Sequence, residues 1–194
     1  MNNKTATNIL TTIISAVFLA LTTFSSNAQI TYHLSISSTS PWTDTGISVY
    51  AGALLSIQAT GTVSYFGDNT QAVTGPGGTN YDGTQFFPES VYPNTTVVSL
   101  IGKIGGTTTI GTGTALPGGL PGNGVGYVGS SYSEVVPTTG ELFLGFNDQV
   151  GSFGDNSGSF QVSVTVAPVP EPSTFGLAGL AGLCLVAFRR LAKA

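Results

Sequence analysis

An all-β, antiparallel β-sandwich is the fold predicted for this sequence, on three observations. Apolar and polar residues alternate with period two over several short stretches, as in strands that bury one face. The chain carries 27 Gly and 10 Pro, and only 7% of its residues are charged, a composition suited to short strands and turns rather than helices. The central region shows no helical periodicity and no repeat of roughly 20 to 50 residues, which disfavours propellers and solenoids.

Residues 1–28 read as an export signal. Lys4 supplies the positive start, residues 9–21 are apolar with a few Thr and Ser, and Ser26 and Ala28 place small residues ahead of a cleavage point. The apolar run is short for a retained membrane span, so the mature chain is expected to begin at Gln29. The domain that follows, residues 29–167, contains no cysteine and cannot be stapled by disulfides despite its export. It depends on its core, and ~140 residues are enough to bury one.

Within that domain Tyr32, Leu34 and Ile36 alternate with His33, Ser35 and Ser37. Leu55, Ile57 and Ala59 alternate with Ser56, Gln58 and Thr60, and Val63 and Tyr65 follow after Gly61. Residues 96–104 are more continuously apolar and predict a central strand, and residues 107–110 predict a short one. Leu142, Leu144 and Phe146 share one face, as do Phe160, Val162, Val164 and Val166. Pairing of these last two strands as a hairpin would bring together the ends of the segment between them.

That segment opens the stretch NDQVGSFGDNSGSF, residues 147–160, which concentrates the chain's candidate chemistry. Closing the hairpin sets Asp148 near Asp155 and Asn156, with Gly151, Gly154 and Gly158 freeing the backbone to turn carbonyls inward. Carboxylates and carbonyls without sulfur or imidazole suit a hard cation such as Ca2+. The same residues also make an ordinary Asx-rich turn.

The stretch resembles the metal loop of the PA-IL-type calcium-dependent galactose-binding lectins, in which an Asn-Asp pair, a short Gly-containing turn and a polar-Asn-Ser-Gly-Ser-Phe run follow one another. Residues 41–65 (PWTDTGISVYAGALLSIQATGTVSY) resemble the first strands of that family, and residues 100–105 (LIGKIG) its middle strand. The resemblance implies a jelly-roll-like sandwich with Asp148, Asp155 and Asn156 as side-chain ligands of calcium. Ser152 and Tyr65 would contribute backbone carbonyls. Asp155 stands where the lectins have Asn, which keeps an oxygen and adds a charge. Their sugar-contacting His and Gln have no clear counterpart in residues 79–94, TNYDGTQFFPESVYPN.

Lys103 is the one Lys or Arg between residues 29 and 169, against eight carboxylates, which leaves this span at −7. Such a domain repels phosphate backbones, and nucleic acid is excluded as a partner class. The loop of residues 67–94 mixes Tyr81, Asp82, Phe86, Phe87 and Tyr92. Those aromatic faces beside a carboxylate would make a sugar platform, or they anchor a long loop onto the core. The run GVGYVG at residues 124–129 matches a dinucleotide fingerprint in letters only, since no helix or βαβ unit follows it. His33, the single histidine, gives no basis for a triad. Glu134 and Glu141 sit by a turn at residues 137–140 with nothing to define a glycosidase pair. The sequence is therefore read as that of a binding protein rather than an enzyme.

Residues 168–194 carry the most specific signal. Pro170, Glu171 and Pro172 precede a 14-residue apolar run at residues 175–188, then Arg189 and Arg190. As a helix that run spans about 21 Å, short for a stable crossing, and the basic end stays cytoplasmic. This tail resembles the PEP-CTERM sorting signal recognised by exosortase in Gram-negative, exopolysaccharide-producing bacteria. The resemblance implies transient membrane insertion, processing near Pro170–Pro172, and delivery to the cell surface or extracellular matrix. Together these readings predict an exported, calcium-dependent carbohydrate- or exopolysaccharide-binding domain. The alternative is a structural or adhesive matrix protein that recognises no sugar.

Overall fold

The computed structural model describes residues 29–67, 73–78, 89–118 and 122–167. Among the described residues ten strands run in chain order: β1 (Ile30–Ser37), β2 (Trp42–Val49), β3 (Leu54–Thr60), β4 (Val63–Ser64), β5 (Val73–Thr74), β6 (Leu100–Ile104), β7 (Thr114–Ala115), β8 (Ser131–Val135), β9 (Gly140–Phe146) and β10 (Ser157–Ala167). They form two sheets. One has the order β5-β4-β10-β3-β8, with β1 on the free side of β10, and the other the order β2-β9-β6-β7. Every pairing is antiparallel. The all-β antiparallel sandwich is thus the fold of the chain.

The period-two pattern decides which faces meet. Ile36, Leu55, Ile57, Phe160, Val162 and Val164 of the first sheet are buried with Ile47, Val49, Leu100, Leu142, Leu144 and Phe146 of the second. Each such side chain contributes roughly 1.5–3 kcal/mol through the apolar area it removes from water. The other face of the first sheet carries two polar rows. Thr31, Thr165, Ser56 and Ser133 make one row across β1, β10, β3 and β8, and His33, Ser163, Gln58 and Ser131 make the next. Hydroxyls bond along these rows, Thr31 Oγ1 lying 2.9 Å from Thr165 Oγ1 and Ser163 Oγ 2.9 Å from His33 Nδ1.

Two local expectations are corrected. Strands β9 and β10 do not form a hairpin: they lie in opposite sheets, and their apolar faces meet across the core, with the Phe146 and Phe160 rings 6.0 Å apart. Alternation specifies that each strand buries one face, and a partner across the sandwich satisfies that as well as a partner beside it. Residues 107–110 are not a strand either; the pairing partner of β6 on that side is β7.

Lys103 supplies the reason. It is fully buried on β6, and its Nζ donates to the carbonyls of Thr107 (2.6 Å) and Thr109 (3.1 Å) and to Thr112 Oγ1 (3.3 Å). The ammonium also sits 4.4 Å from the Trp42 ring centroid and 5.4 Å from that of Phe143. Residues 107–112 therefore wrap a cation instead of pairing with a strand. Burial lowers the Lys103 pKa from its ordinary value, and the oxygens and ring faces stand in for the missing carboxylate partner. Lys103→Ala is expected to cost about 2–4 kcal/mol in urea unfolding, through lost packing of the buried stem and the loss of the bonds from its ammonium. Lys103→Met, which keeps the stem, is expected to cost less.

Candidate metal and ligand site

The segment between β9 and β10 crosses from one sheet to the other, and three features shape the crossing. Gly151 (φ +99°) and Gly158, the second residue of β10 (φ +91°), take positive-φ backbone that a Cβ makes costly. Between them residues Phe153–Asp155 form a single 3-10 turn, with buried Phe153 pinning it to the core. Gly154 sits inside that turn without a positive φ.

Asp148 and Asn156 meet at this crossing, so the proximity expected of a hairpin arises by another route. Both are buried, 5% and 6% exposed. Asn156 Nδ2 donates to Asp148 Oδ2 at 2.8 Å and to the Ser38 carbonyl at 3.0 Å. Two acceptors in front of one amide nitrogen fix the amide orientation. Asn156 Oδ1 is then left buried with no hydrogen-bond partner. Asp148 Oδ1 accepts from the backbone N–H of Gln149 at 2.7 Å. Burial pushes the Asp148 carboxyl above the ordinary carboxylate range, the bonds from Asn156 and Gln149 oppose that, and the charge of Asp155 adds to it.

Asp155 itself is exposed. Its carbonyl accepts from the Gly67 N–H at 2.6 Å, which holds the turn after Tyr65 against the 3-10 turn. Tyr65 and Ser152 are both half-buried, and the Ser152 N–H donates to the Gln149 carbonyl at 3.0 Å. Tyr92 packs edge-on to Trp42, ring centroids 5.6 Å apart, and partly against the core; burial pushes its hydroxyl up to about 12. Tyr81, Asp82, Phe86 and Phe87 lie outside the described residues, as do residues 1–28 and the sorting motif with Pro170, Glu171, Pro172, Arg189 and Arg190.

Glu134 and Glu141 do not converge. Glu134 lies on β8 of the first sheet; Glu141, on β9 of the second, faces Asp44, whose charge raises its pKa.

Sequence reasoning passed over Asn147. It is completely buried, and its side chain makes four bonds to a segment some fifty residues upstream. Oδ1 accepts from the Tyr92 N–H at 2.9 Å, while Nδ2 donates to the carbonyls of Thr95 and Thr96 at 3.0 Å each and of Tyr92 at 3.3 Å. The backbone adds Val98 N–H to the Asn147 carbonyl at 2.7 Å and Val91 N–H to the Asp148 carbonyl at 3.1 Å. Asn147 thus clamps residues 91–98 beside Asp148. Val98 adopts φ +49° within this segment, a strained choice for a β-branched residue. The one sequence cue was an Asn directly after an apolar strand.

The residues that the sequence suggested as ligands carry oxygens alone, but only Asp148 and Asn156 are buried together, while Asp155 is exposed. Among the described residues no group of three or more His, Cys, Asp or Glu side chains gathers. A buried carboxylate beside a buried, unbonded amide oxygen lacks a positive partner, and a hard cation is the chemical complement of that pair.

Comparison with known proteins gives this loop a context. Residues 38–168 match the PA-IL-like protein family, more than half the chain, and residues 168–190 match the PEP-CTERM protein-sorting motif. The chain belongs to the PA-IL-like family. It is 34% identical over 124 residues to Lectin A of Photorhabdus laumondii, a match covering 63% of this chain and 80% of that protein. Among solved structures it is similar to the EclA N-terminal domain, a PllA-like lectin, at 25% identity and a TM-score of 0.49, over 73% of this chain and 99% of that one. A PA-IL-like lectin domain followed by a PEP-CTERM motif describes an exported protein of a non-catalytic class. The motif supports sorting to the surface or extracellular matrix.

Proposed function

We propose that this chain is a calcium-dependent lectin of the cell surface or matrix that binds a neutral sugar or polysaccharide. The observation that carries the reading is the buried, unpartnered Oδ1 of Asn156 beside the buried Asp148 carboxylate. Asp148, Asp155 and Asn156, with the carbonyls of Ser152 and Tyr65, are the residues that would hold Ca2+. The ion would neutralise two carboxylates and offer coordination positions to sugar hydroxyls. Asp148 and Asn156 would accept hydrogen bonds from those hydroxyls. Selectivity would come from Tyr81, Asp82, Phe86, Phe87 or Tyr92.

Charge supports the neutral class of ligand. Lys103 is the one cationic Lys or Arg in the span at −7, and its ammonium is already occupied by carbonyls and rings. A uronate or sulfated glycan therefore meets repulsion and no guanidinium or ammonium to pair with. The deciding experiment is a glycan array on the 29–169 fragment with calcium and with chelator. Binding of neutral glycans that chelator abolishes is expected, with Kd near millimolar per site, about −4 kcal/mol. Binding that survives chelator would assign recognition to the aromatic loop alone. No binding on the array, with calcium demonstrably bound, would point instead to a structural matrix protein.

The tail would insert transiently in the membrane and be cut near Pro170–Pro172 by an exosortase-type enzyme. Intact-mass measurement of protein released from its native host is expected to show a chain lacking residues 175–194. A mature protein that retains them would instead be a plain membrane-anchored one.

A further inference from the structure

The large apolar side chains that the fold leaves in water are unevenly distributed. Among the described residues, Ile30, Leu54 and Val135 gather at one end of the first sheet. Four adjacent strands end there, and the register sets their terminal residues side by side. Ile30 opens β1 against Val166, Ala167 closes β10 against Leu54, and Leu54 opens β3 against Val135, the last residue of β8. At about 4.8 Å between strands this row is about 14 Å wide. Tyr50 stands beside it in the turn into β3, where its carbonyl accepts from the Ala53 N–H at 2.9 Å. Ile30 is 53% exposed, Tyr50 63%, Leu54 39% and Val135 56%. The charges at this end are Glu134, paired with Leu55, and Glu141, paired with Ser48. Lys103, the one Lys or Arg of the domain, is buried.

A contiguous apolar patch marks a surface that meets something, and the course of the chain says what. Residue 168 follows Ala167 directly and opens the part of the sequence matched to the sorting motif. Only residues 168–174 separate the patch from the apolar run at 175–188, and seven residues reach at most about 25 Å. We propose that this end of the sheet rests on the lipid surface while the tail is inserted, a contact that rests on the reading of the tail as a transient membrane segment. The short tether holds a patch too small to bind by itself at high effective concentration over the bilayer. Tyr50, with an apolar ring and a polar tip, suits headgroup depth. The attraction is apolar, since Glu134 and Glu141 are repelled by anionic headgroups, and the surface that fits is zwitterionic lipid. Asn156 lies just before the other end of β10, so the candidate ligand site would be turned away from the bilayer. Cutting the tail would withdraw the tether and free the domain.

The test uses the chain from Gln29 to Ala194 in phosphatidylcholine vesicles, with Cys184→Ser so that one introduced cysteine carries an environment-sensitive fluorophore. Val135→Cys places the probe in the row, and Thr60→Cys, exposed at the opposite end of β3, is the control. The Val135 probe is expected to shift to the blue and to be quenched several times more strongly than the Thr60 probe by nitroxide-labelled lipid. Adding Ile30→Glu and Leu54→Glu is expected to abolish both signals at Val135, while the chain still floats with the vesicles and keeps its melting temperature. Water-like emission at both positions in a chain that floats would overturn the proposal and leave the tail reading standing. Signals that survive the two Glu substitutions would also overturn it. So would a blue-shifted Val135 probe that lipid nitroxide does not quench, since the patch would then be covered by the tail's own apolar run or by a second copy. A chain that fails to float with vesicles would remove the tail reading and the proposal together.

Discussion

Asn147→Ala is expected to lower the stability of the domain by about 3–5 kcal/mol, the largest effect anticipated for a single polar substitution here. The variant removes one acceptor and the amide donors together. It leaves the Tyr92 N–H and the Thr95 carbonyl without partners, at about 1–3 kcal/mol for each orphaned group, and strips the Thr96 carbonyl of one of its two donors, the other being the Ser99 hydroxyl at 2.6 Å. The strained Val98 lies in the same clamped segment, so release of residues 91–98 recovers a fraction of the loss. Urea unfolding is the measurement: the midpoint falls while the slope stays near its wild-type value. Asn147→Asp is no rescue, since it sets a carboxylate against backbone carbonyls. A change under 1 kcal/mol for Asn147→Ala would mean that the four bonds are not the clamp.

Calcium is expected to stabilise the wild-type domain by about 2.7 kcal/mol at a hundredfold excess over Kd, a rise of roughly 10 °C in melting temperature. Asp148→Asn is expected to abolish most of that increment and leave the chelator-treated domain folded though somewhat less stable, because Asn keeps an oxygen for the Gln149 N–H but no longer offers an acceptor to Asn156 Nδ2. The calcium-free protein should also show a pH signature. Its Asp148 pKa is raised above the unfolded value, chiefly by burial. The folded state therefore holds the proton more tightly than the unfolded one. Stability from this group is full below the unfolded pKa and is lost as pH rises through the folded pKa. Calcium requires the carboxylate, so its stabilising increment runs the other way and shrinks as pH falls through the same range. Melting curves in calcium and in chelator, across mildly acidic to neutral pH, read both slopes. Wild-type melting indifferent to calcium and chelator at neutral pH would remove the site.

Strand faces were legible in the sequence and strand partners were not. Leu142, Leu144, Phe146, Phe160, Val162 and Val164 all bury the side that alternation assigned to them. Whether β9 lies beside β10 or across the core is decided by the connection, and ten residues reach easily between sheets about 10 Å apart. The meeting of Asp148 with Asn156 was anticipated correctly, for a reason that proved wrong. Asn147 and Lys103 were hidden for a shared cause: each is satisfied by backbone carbonyls, which every residue possesses and no sequence pattern advertises. Lys103 left one trace, as the sole Lys or Arg of the domain in an otherwise apolar strand.

Strand β10 begins at the crossing loop that holds Asn156 and ends at Ala167, directly before the residues that match the sorting motif. Eleven extended residues span about 37 Å, so one unbroken covalent segment links the candidate binding loop to the tail. Were the proposed glycan held at the loop and the chain attached beyond residue 167, tension would run along that backbone. The hydrogen bonds to β1 and β3 lie across the line of pull and are not unzipped by it. Drag on a polymer held there would load the hydrogen bonds of β10 in shear rather than peel the sheet open.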